Sequence, residues 1–284
     1  MVYYRERHQR RTSMTQHSAL VFQSWLSRPA KFCAIALTLA LTLTLLSCTG
    51  TNPPDLSAEA PADSTADSTA DSIVNEAEPT AEEVAAAEAE QRAEWEAQQA
   101  KTQAVISELS REELIADSST KGPKDADVIL LKFSDFECPF CAQAAADMKD
   151  FTEKHDDILY VYKQLPLESI HPEAMPAAKA SWAAGQQDQF WIYHDGLFAF
   201  QDKLSEDYYV ELAEQIGLDI EQFNRDRNSP EAAAAIEKDI QLARDLALRG
   251  TPTFVMNELL IPGGAPPEFF EEAVKRAKDG TLIE

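Results

Sequence analysis

The sequence is short of basic residues, has no second cysteine pair, carries no Gly-rich phosphate loop, and contains no apolar run long enough to span a membrane. Against 49 Asp and Glu there are 25 Lys and Arg in 284 residues. Six of those cations lie in the first 47 residues, where Glu6 is the one acid. Beyond residue 47 the balance is 19 to 48, a formal charge of −29. Such a surface repels polyphosphate and anionic lipid, which excludes nucleic acid and anionic membrane surfaces as partners. The four cysteines are Cys33, Cys48, Cys138 and Cys141. A structural zinc site needs four ligands, and His155, His171 and His194 lack the spacing to complete one with Cys138 and Cys141. The pair therefore reads as redox-active rather than metal-binding, and no metal site is expected.

The apolar run Phe32–Leu46, preceded by Arg28 and Lys31, falls below the roughly 20 residues of a spanning helix but suits a signal-peptide core. It ends in Leu45-Leu46-Ser47-Cys48, which resembles a bacterial lipoprotein box with Cys48 as the lipidated first mature residue. An uncleaved anchor with Cys48 unmodified is the alternative. In both cases the rest of the chain is exported, to the periplasmic or extracytoplasmic side of a bacterial membrane. Met14 is an alternative start to Met1.

The expected organisation is a signal peptide at 1–47, an acidic linker at 48–80, a solvated spacer helix at 81–109 and a folded domain at 110–284. The linker contains the repeat Ala62-Asp-Ser-Thr-Ala-Asp-Ser-Thr-Ala-Asp-Ser72, which has no large apolar residue to bury and is expected to be disordered. Ala81 to Leu109 lacks Gly and Pro and is rich in Ala, Glu and Gln, so it favours helix. Its sparse apolar residues (Val84, Trp95, Val105, Ile106, Leu109) make no continuous stripe, and the helix is expected to dock only at its end. Ser110-Arg-Glu-Glu113 has capping-box spacing, and Lys121-Gly-Pro-Lys124 signals a turn. Strands are expected at Val128–Ser134 and Ile158–Leu165, with a helix from Cys138 to Lys154 between them. Helices fill Pro172–Leu248, with breaks near Gly185, Gly217 and Ser229-Pro230. Short strands at Thr253–Met256 and Leu259–Ile261 flank a tight turn at Asn257-Glu258, and Pro267–Lys278 closes the chain as a helix. The order β-α-β, helices, β-β-α defines an α/β domain.

Cys138-Pro139-Phe140-Cys141 stands at a strand-to-helix junction. Two thiols at this spacing can close a small disulfide ring, and a helix N-terminus favours a thiolate at Cys138. Together with Phe133-Ser-Asp-Phe-Glu137 before it, Gly250-Thr-Pro-Thr-Phe254, Leu165-Pro-Leu167, His171-Pro172 and Phe190-Trp-Ile-Tyr-His-Asp-Gly-Leu-Phe198, this stretch resembles the DsbA-like thiol–disulfide oxidoreductases of the thioredoxin superfamily. The resemblance covers roughly Leu109 to Lys278 and implies a thioredoxin fold with a helical insertion. It also implies an exposed nucleophile at Cys138, a buried resolving thiol at Cys141, a cis-proline at Pro252, and backbone pairing of substrate by Thr251. No cofactor is implied, since the thiols are the reacting groups. The partners implied are cysteine-containing substrate proteins and a membrane quinone-linked redox partner.

Two positions depart from the family pattern. Phe140 stands where strongly oxidising members often have His, and its ring cannot hydrogen-bond a thiolate. Lys132 stands six residues before Cys138, where relatives commonly bury an acid. Alternation puts Leu130, Lys132 and Ser134 on one face of their strand and Ile129, Leu131 and Phe133 on the other. Lys132 either approaches Cys141 from below, favouring thiolate, or snorkels to solvent. Pro139, Phe140 and Lys132 are thus the tuning residues. Asp135 and Glu137 oppose the thiolate mildly, or Asp135 caps the helix. His171 and His194 read as packing or capping residues, and the Phe190, Trp191, Phe198 and Phe200 cluster as insertion core. The favoured activity is disulfide donation. The alternatives are a reductase or isomerase of the same fold, or a non-catalytic module that binds peptides through Phe136 and Phe140.

Overall fold

The computed structural model describes residues 80–281. The signal peptide, Cys48 and all but the end of the linker lie outside them. Among the described residues no helix is long and apolar enough to cross a membrane.

Helix α1 (Ala81–Glu108) begins with a reciprocal cap between Thr80 and Glu83. The Ser110–Glu113 capping box opens α2 (Arg111–Ile115). Five strands follow: β1 (Thr120–Lys121), β2 (Ile129–Ser134), β3 (Leu159–Gln164), β4 (Thr253–Met256) and β5 (Leu259–Pro262). They form one sheet in the order β1-β3-β2-β4-β5. Strands β2 and β3 run parallel, joined through α3 (Pro139–Lys154), and β4 and β5 are antiparallel neighbours. The two-residue β1 has no alternating pattern to betray it and falls where the sequence signals a turn.

The hairpin between β4 and β5 turns at Asn257, whose φ of 51° suits a short polar side chain. The same side chain accepts a hydrogen bond from the Ile129 amide at 2.8 Å, locking the hairpin to the start of β2.

Both faces of β2 are buried, with period-two alternation. Leu130 packs with Met148 and Phe151 of α3 and with Phe270 and Val274 of α9 (Pro267–Lys278). Leu131 and Phe133 pack on the other face with Ala243 of α8 (Pro230–Asp245), Ile106 of α1 and Leu246. Each such fully buried side chain contributes roughly 1.5–3 kcal/mol. The insertion comprises α4 (Ala174–Gly185), α5 (Phe190–Ala199), α6 (Glu206–Gln215) and α7 (Ile220–Arg227). Its core packs Phe190, Tyr193 and Leu197 against Tyr209, Leu212 and Phe223 and reaches Phe136 and Tyr162 near the cysteines.

Docking of α1 begins at Trp95 and continues through Val105, Ile106 and Leu109. Gln99 treats the edge of β5 as a strand would: its Oε1 accepts from the Leu260 amide at 3.0 Å, and its Nε2 donates to the Glu258 carbonyl at 2.9 Å. The helix thereby covers a sheet edge that would otherwise offer free backbone groups.

Candidate active site

The site forms where β2 ends and α3 begins. Cys138 is the N-cap of α3, with extended backbone, and Pro139 occupies the first helical turn, where a missing N–H costs nothing. The Cys138 carbonyl accepts from the Cys141 and Ala142 amides at 3.1 and 3.3 Å. The pair is in the dithiol form.

Cys138 is 4% exposed and Cys141 fully buried. The nucleophile is therefore recessed rather than exposed, a correction to the expectation from the resemblance. It lies under the Thr251–Pro252 loop, where its thiol donates to the Thr251 carbonyl at 3.5 Å, and the Thr251–Pro252 peptide bond is cis. Gly263 packs directly on this loop. A Cβ there would stand 2.2 Å from the Pro252 carbonyl oxygen, so only glycine permits the approach.

The two thiols differ in acidity. Cys138 is drawn down to about 5, first by the Cys141 thiol and then, against the opposing effect of burial, by Thr251 and the Cys141 and Phe140 backbone amides. Burial pushes Cys141 well up, and donation to Cys138 holds its proton further. Phe140 thus contributes through its amide, while its side chain is 74% exposed. Phe136, its proposed companion in a docking surface, is instead fully buried, stacked on Tyr162 at 5.4 Å.

Lys132 is 0% exposed. Snorkelling is excluded, because Tyr162, Phe198 and α3 cover the strand at this point. Its Nζ points to the Cys141 carbonyl oxygen at 3.5 Å and lies 5.2 and 5.9 Å from the ring centres of Phe198 and Tyr162. Burial pulls the ammonium down to about 8, with the cysteine pair, Cys141 and then Cys138, resisting.

Hydrogen bonds from several elements hold the loop between β2 and α3. Asp135, 1% exposed, is its anchor rather than a helix cap. The Asp135 amide donates to Cys141 Sγ at 3.5 Å, and its carboxylate accepts from the Glu137 and Leu167 amides at 2.8 Å each. His171 Nδ1 lies 2.8 Å from the same carboxylate. Burial opposes protonation of His171, but the Asp135 hydrogen bond and charge hold its imidazole above the usual value. Glu137 Oε2 accepts from the Glu173 amide, and Gln201 Nε2 donates to the carbonyls of Phe136 and Cys138 at 2.7 and 3.0 Å. Gln201 carries no motif signal, and His171, although part of the His171-Pro172 motif, has its partner 36 residues away. His194 is buried and held near 4 by that burial, packed among aromatic rings. Of the aromatic cluster, Phe190 lies in the insertion core, whereas Phe200 is 46% exposed.

Beside the cysteines opens a groove of about 510 Å³. Phe140, Trp95 and Gln98 of α1, Arg249, the Gly250–Thr253 segment and Gly263 form its walls. Among the described residues no cluster of three or more metal-ligating side chains occurs. The arrangement can do one kind of chemistry well: nucleophilic exchange at sulfur, with one stabilised thiolate and one thiol that keeps its proton.

Residues 115–276 match a protein family described as Thioredoxin. A thioredoxin-like oxidoreductase from Silicibacter pomeroyi superposes with a TM-score of 0.56 at 31% identity, over 60% of this chain and 99% of its own. The thiol-disulfide exchange protein α-DsbA2 of Wolbachia pipientis shares the fold at 22% identity and a TM-score of 0.58, over 63% of this chain and 97% of its own. A curated relative, a Na(+)/H(+) antiporter NhaA 3 of Salinispora tropica, is 36% identical over 137 residues, or 48% of this chain. The match spans only 21% of that antiporter's length, and 25% of the NhaA 1 of Salinispora arenicola. With the family matched over more than half the chain and the paired thiols seated beside the cis-proline loop, the protein belongs to the thioredoxin family.

Proposed function

We propose that this protein is an exported, membrane-tethered thiol–disulfide oxidoreductase that donates the Cys138–Cys141 disulfide to cysteine-containing proteins. The observation that carries the reading is the seat of Cys138 at the head of α3 against the cis Thr251–Pro252 loop, where the Cys141 thiol and then Thr251 draw its pKa down to about 5 while buried Cys141 holds its proton. Stabilising the thiolate stabilises the reduced enzyme, and an enzyme stable when reduced is a good oxidant. At pH 7 a thiolate of pKa about 5 favours the reduced form about 100-fold over its protonated thiol, whereas an ordinary thiol near 8.5 gains almost nothing.

In the forward reaction a substrate thiolate attacks Cys138 Sγ of the disulfide. The S–S bond breaks, Cys141 leaves with the electron pair and takes a proton, and a mixed disulfide forms. A second substrate thiolate then attacks the substrate sulfur of that bond, and Cys138 leaves as its stabilised thiolate. The substrate gains a disulfide and the enzyme gains two electrons. Thr251 pairs with the backbone of an extended substrate segment, and the neighbouring groove takes a substrate side chain. A membrane quinone-linked protein reoxidises the pair. The lipoprotein-like sequence ending at Cys48 supports the tether and an extracytoplasmic setting, where disulfides persist.

The test is equilibration of the full chain, with Cys33→Ala and Cys48→Ala, against glutathione. The expected reduction potential is above about −200 mV. Thiolate absorbance of the reduced protein should fall as pH drops through about 5. A potential of about −270 mV would make the protein a reductase instead. A pair that does not exchange would leave only a structural disulfide.

A further inference from the structure

We propose that Lys132 is a redox-linked proton site: its amine takes up a proton when the Cys138–Cys141 disulfide is reduced and releases it when the disulfide re-forms. This rests on the oxidoreductase reading above and deepens it.

Lys132 is wholly buried, and among the described residues its one hydrogen-bond acceptor is a backbone carbonyl, that of Cys141, at the long end of the range. None of the described carboxylates forms an ion pair with it. An ammonium in such a place is costly, and the usual outcome is loss of the proton. The groups around it decide when that happens. From α3 it is faced by Cys141, Cys138 and, further off, Asp147. From α5 it is faced by His194 and Asp195. Asp195 is itself engaged by His194 Nδ1 at 2.8 Å and is largely exposed. His194 is neutral near pH 7, because burial holds its pKa near 4. Strand β3 presents the phenols of Tyr160 and Tyr162, which burial keeps protonated. Strand β4 presents Phe254 in register, with nothing to titrate.

Among these groups only the cysteine pair changes charge with redox state. Reduction places a thiolate at the head of α3, in the cysteine pair that holds the ammonium's pKa up against burial, and oxidation removes it. The attraction that keeps the amine protonated is therefore present in the dithiol state and absent in the disulfide state. In balance, disulfide, neutral Lys132, two electrons and two protons become Cys138 thiolate, Cys141 thiol and Lys132 ammonium. The lysine thereby neutralises the charge that reduction creates in a buried site.

The consequence is readable in exchange with glutathione. Two glutathione thiols bring two protons. If Cys141 and Lys132 both take one, none is released and the equilibrium constant is independent of pH. If only Cys141 takes one, a proton is released and the constant rises about tenfold per pH unit, which for two electrons is one proton's worth. The experiment measures this constant for the full chain with Cys33→Ala and Cys48→Ala between about pH 6.5 and about pH 7.5, below the ordinary thiol range. A nearly flat profile is expected in the wild-type background and a tenfold-per-unit rise in Lys132→Met. Lys132→Arg keeps the cation but cannot exchange its proton. It should rise as steeply as Lys132→Met while lying further toward the reduced form, separating proton uptake from mere charge. A tenfold rise in the wild-type background overturns the proposal. So does a flat profile retained in Lys132→Met, which assigns the proton to another group such as His171. Absence of exchange at every pH overturns the oxidoreductase reading itself.

Discussion

Two lysines are buried in the central sheet, at neighbouring positions on adjacent strands and on opposite faces, and they keep different company. Lys163 of β3 donates to Asp239 Oδ1 of α8 at 2.9 Å and to Ser118 Oγ at 2.8 Å. The other Asp239 oxygen accepts from the Gln164 amide at 2.9 Å. Lys132 of β2 meets aromatic faces and one carbonyl, with no carboxylate partner among the described residues. Burial is nearly the same, 2% against 0%. What differs is the partner, and the partner decides what the charge does. A lysine matched by a carboxylate and further hydrogen bonds is a fixed structural link between β3 and α8. A lysine whose counter-charge is a thiolate holds its proton only when the active site is reduced.

The largest expected effect separates the two in stability. Lys163→Met leaves Asp239 buried without its cation and should cost roughly 3–5 kcal/mol. Burial already pushes the Asp239 carboxyl up against the pull of Lys163, so the stranded acid will protonate or destabilise the fold. Lys132→Met removes a buried cation that has no carboxylate partner, and stability should change by less than about 1 kcal/mol or rise. Urea unfolding of both variants in the reduced state checks this. If Lys132→Met were the more damaging change, the two lysines would not differ as described.

This contrast also marks how far the sequence could be read. Strand alternation placed Leu130, Lys132 and Ser134 on one face because a period of two survives any tertiary context, and the structure keeps it. The Asn257-Glu258 turn, the Ser110–Glu113 cap and the helix from the cysteines to Lys154 are likewise local, set by residues within a few positions of each other. The contacts that finish the site are not local. Asp239 reaches Lys163 across 76 residues, and Gln201 reaches the Cys138 carbonyl across 63. Gln99 meets Leu260 across 161, and Gly263 is required by the approach of Pro252, which no pattern around Gly263 announces. The burial of Cys138 is non-local for the same reason: the loop that covers it lies 113 residues on. For Lys132 the sequence left two placements open, because whether a buried cation finds a partner depends on which helix covers its strand.

A smaller effect sharpens the comparison through pH. An unfolded lysine titrates near 10.4, whereas Lys132 in the folded, reduced protein titrates at about 8. Below pH 8 both states hold the proton and the full cost of the buried charge is present. Between pH 8 and the unfolded value the folded protein has released a proton that the unfolded chain still binds, so stability rises with pH. The stability of wild type minus that of Lys132→Met should therefore climb by up to roughly 3 kcal/mol across that window, because a pKa unit corresponds to about 1.4 kcal/mol. Tyrosines and the other lysines titrate in both proteins and cancel. Unfolding free energies at a series of pH values measure the difference, and a flat difference would mean that Lys132 pays no penalty for its charge.

The smallest effect tests whether Lys163 is as firmly held as its contacts imply. Ser118→Ala removes one of two side-chain acceptors and leaves the Asp239 pair intact. A hydrogen bond from a charged donor contributes about 1.5 kcal/mol at the low end of its range, and the buried ammonium keeps its main counter-charge. The variant should lose about that much in urea unfolding and leave the glutathione equilibrium unchanged, since Lys163 lies on the face away from Cys141. A shift in that equilibrium would mean that the two lysines communicate through β2 and β3. In that event the faces of the sheet would form one electrostatic unit, and the division between a structural lysine and a redox-linked one would fail.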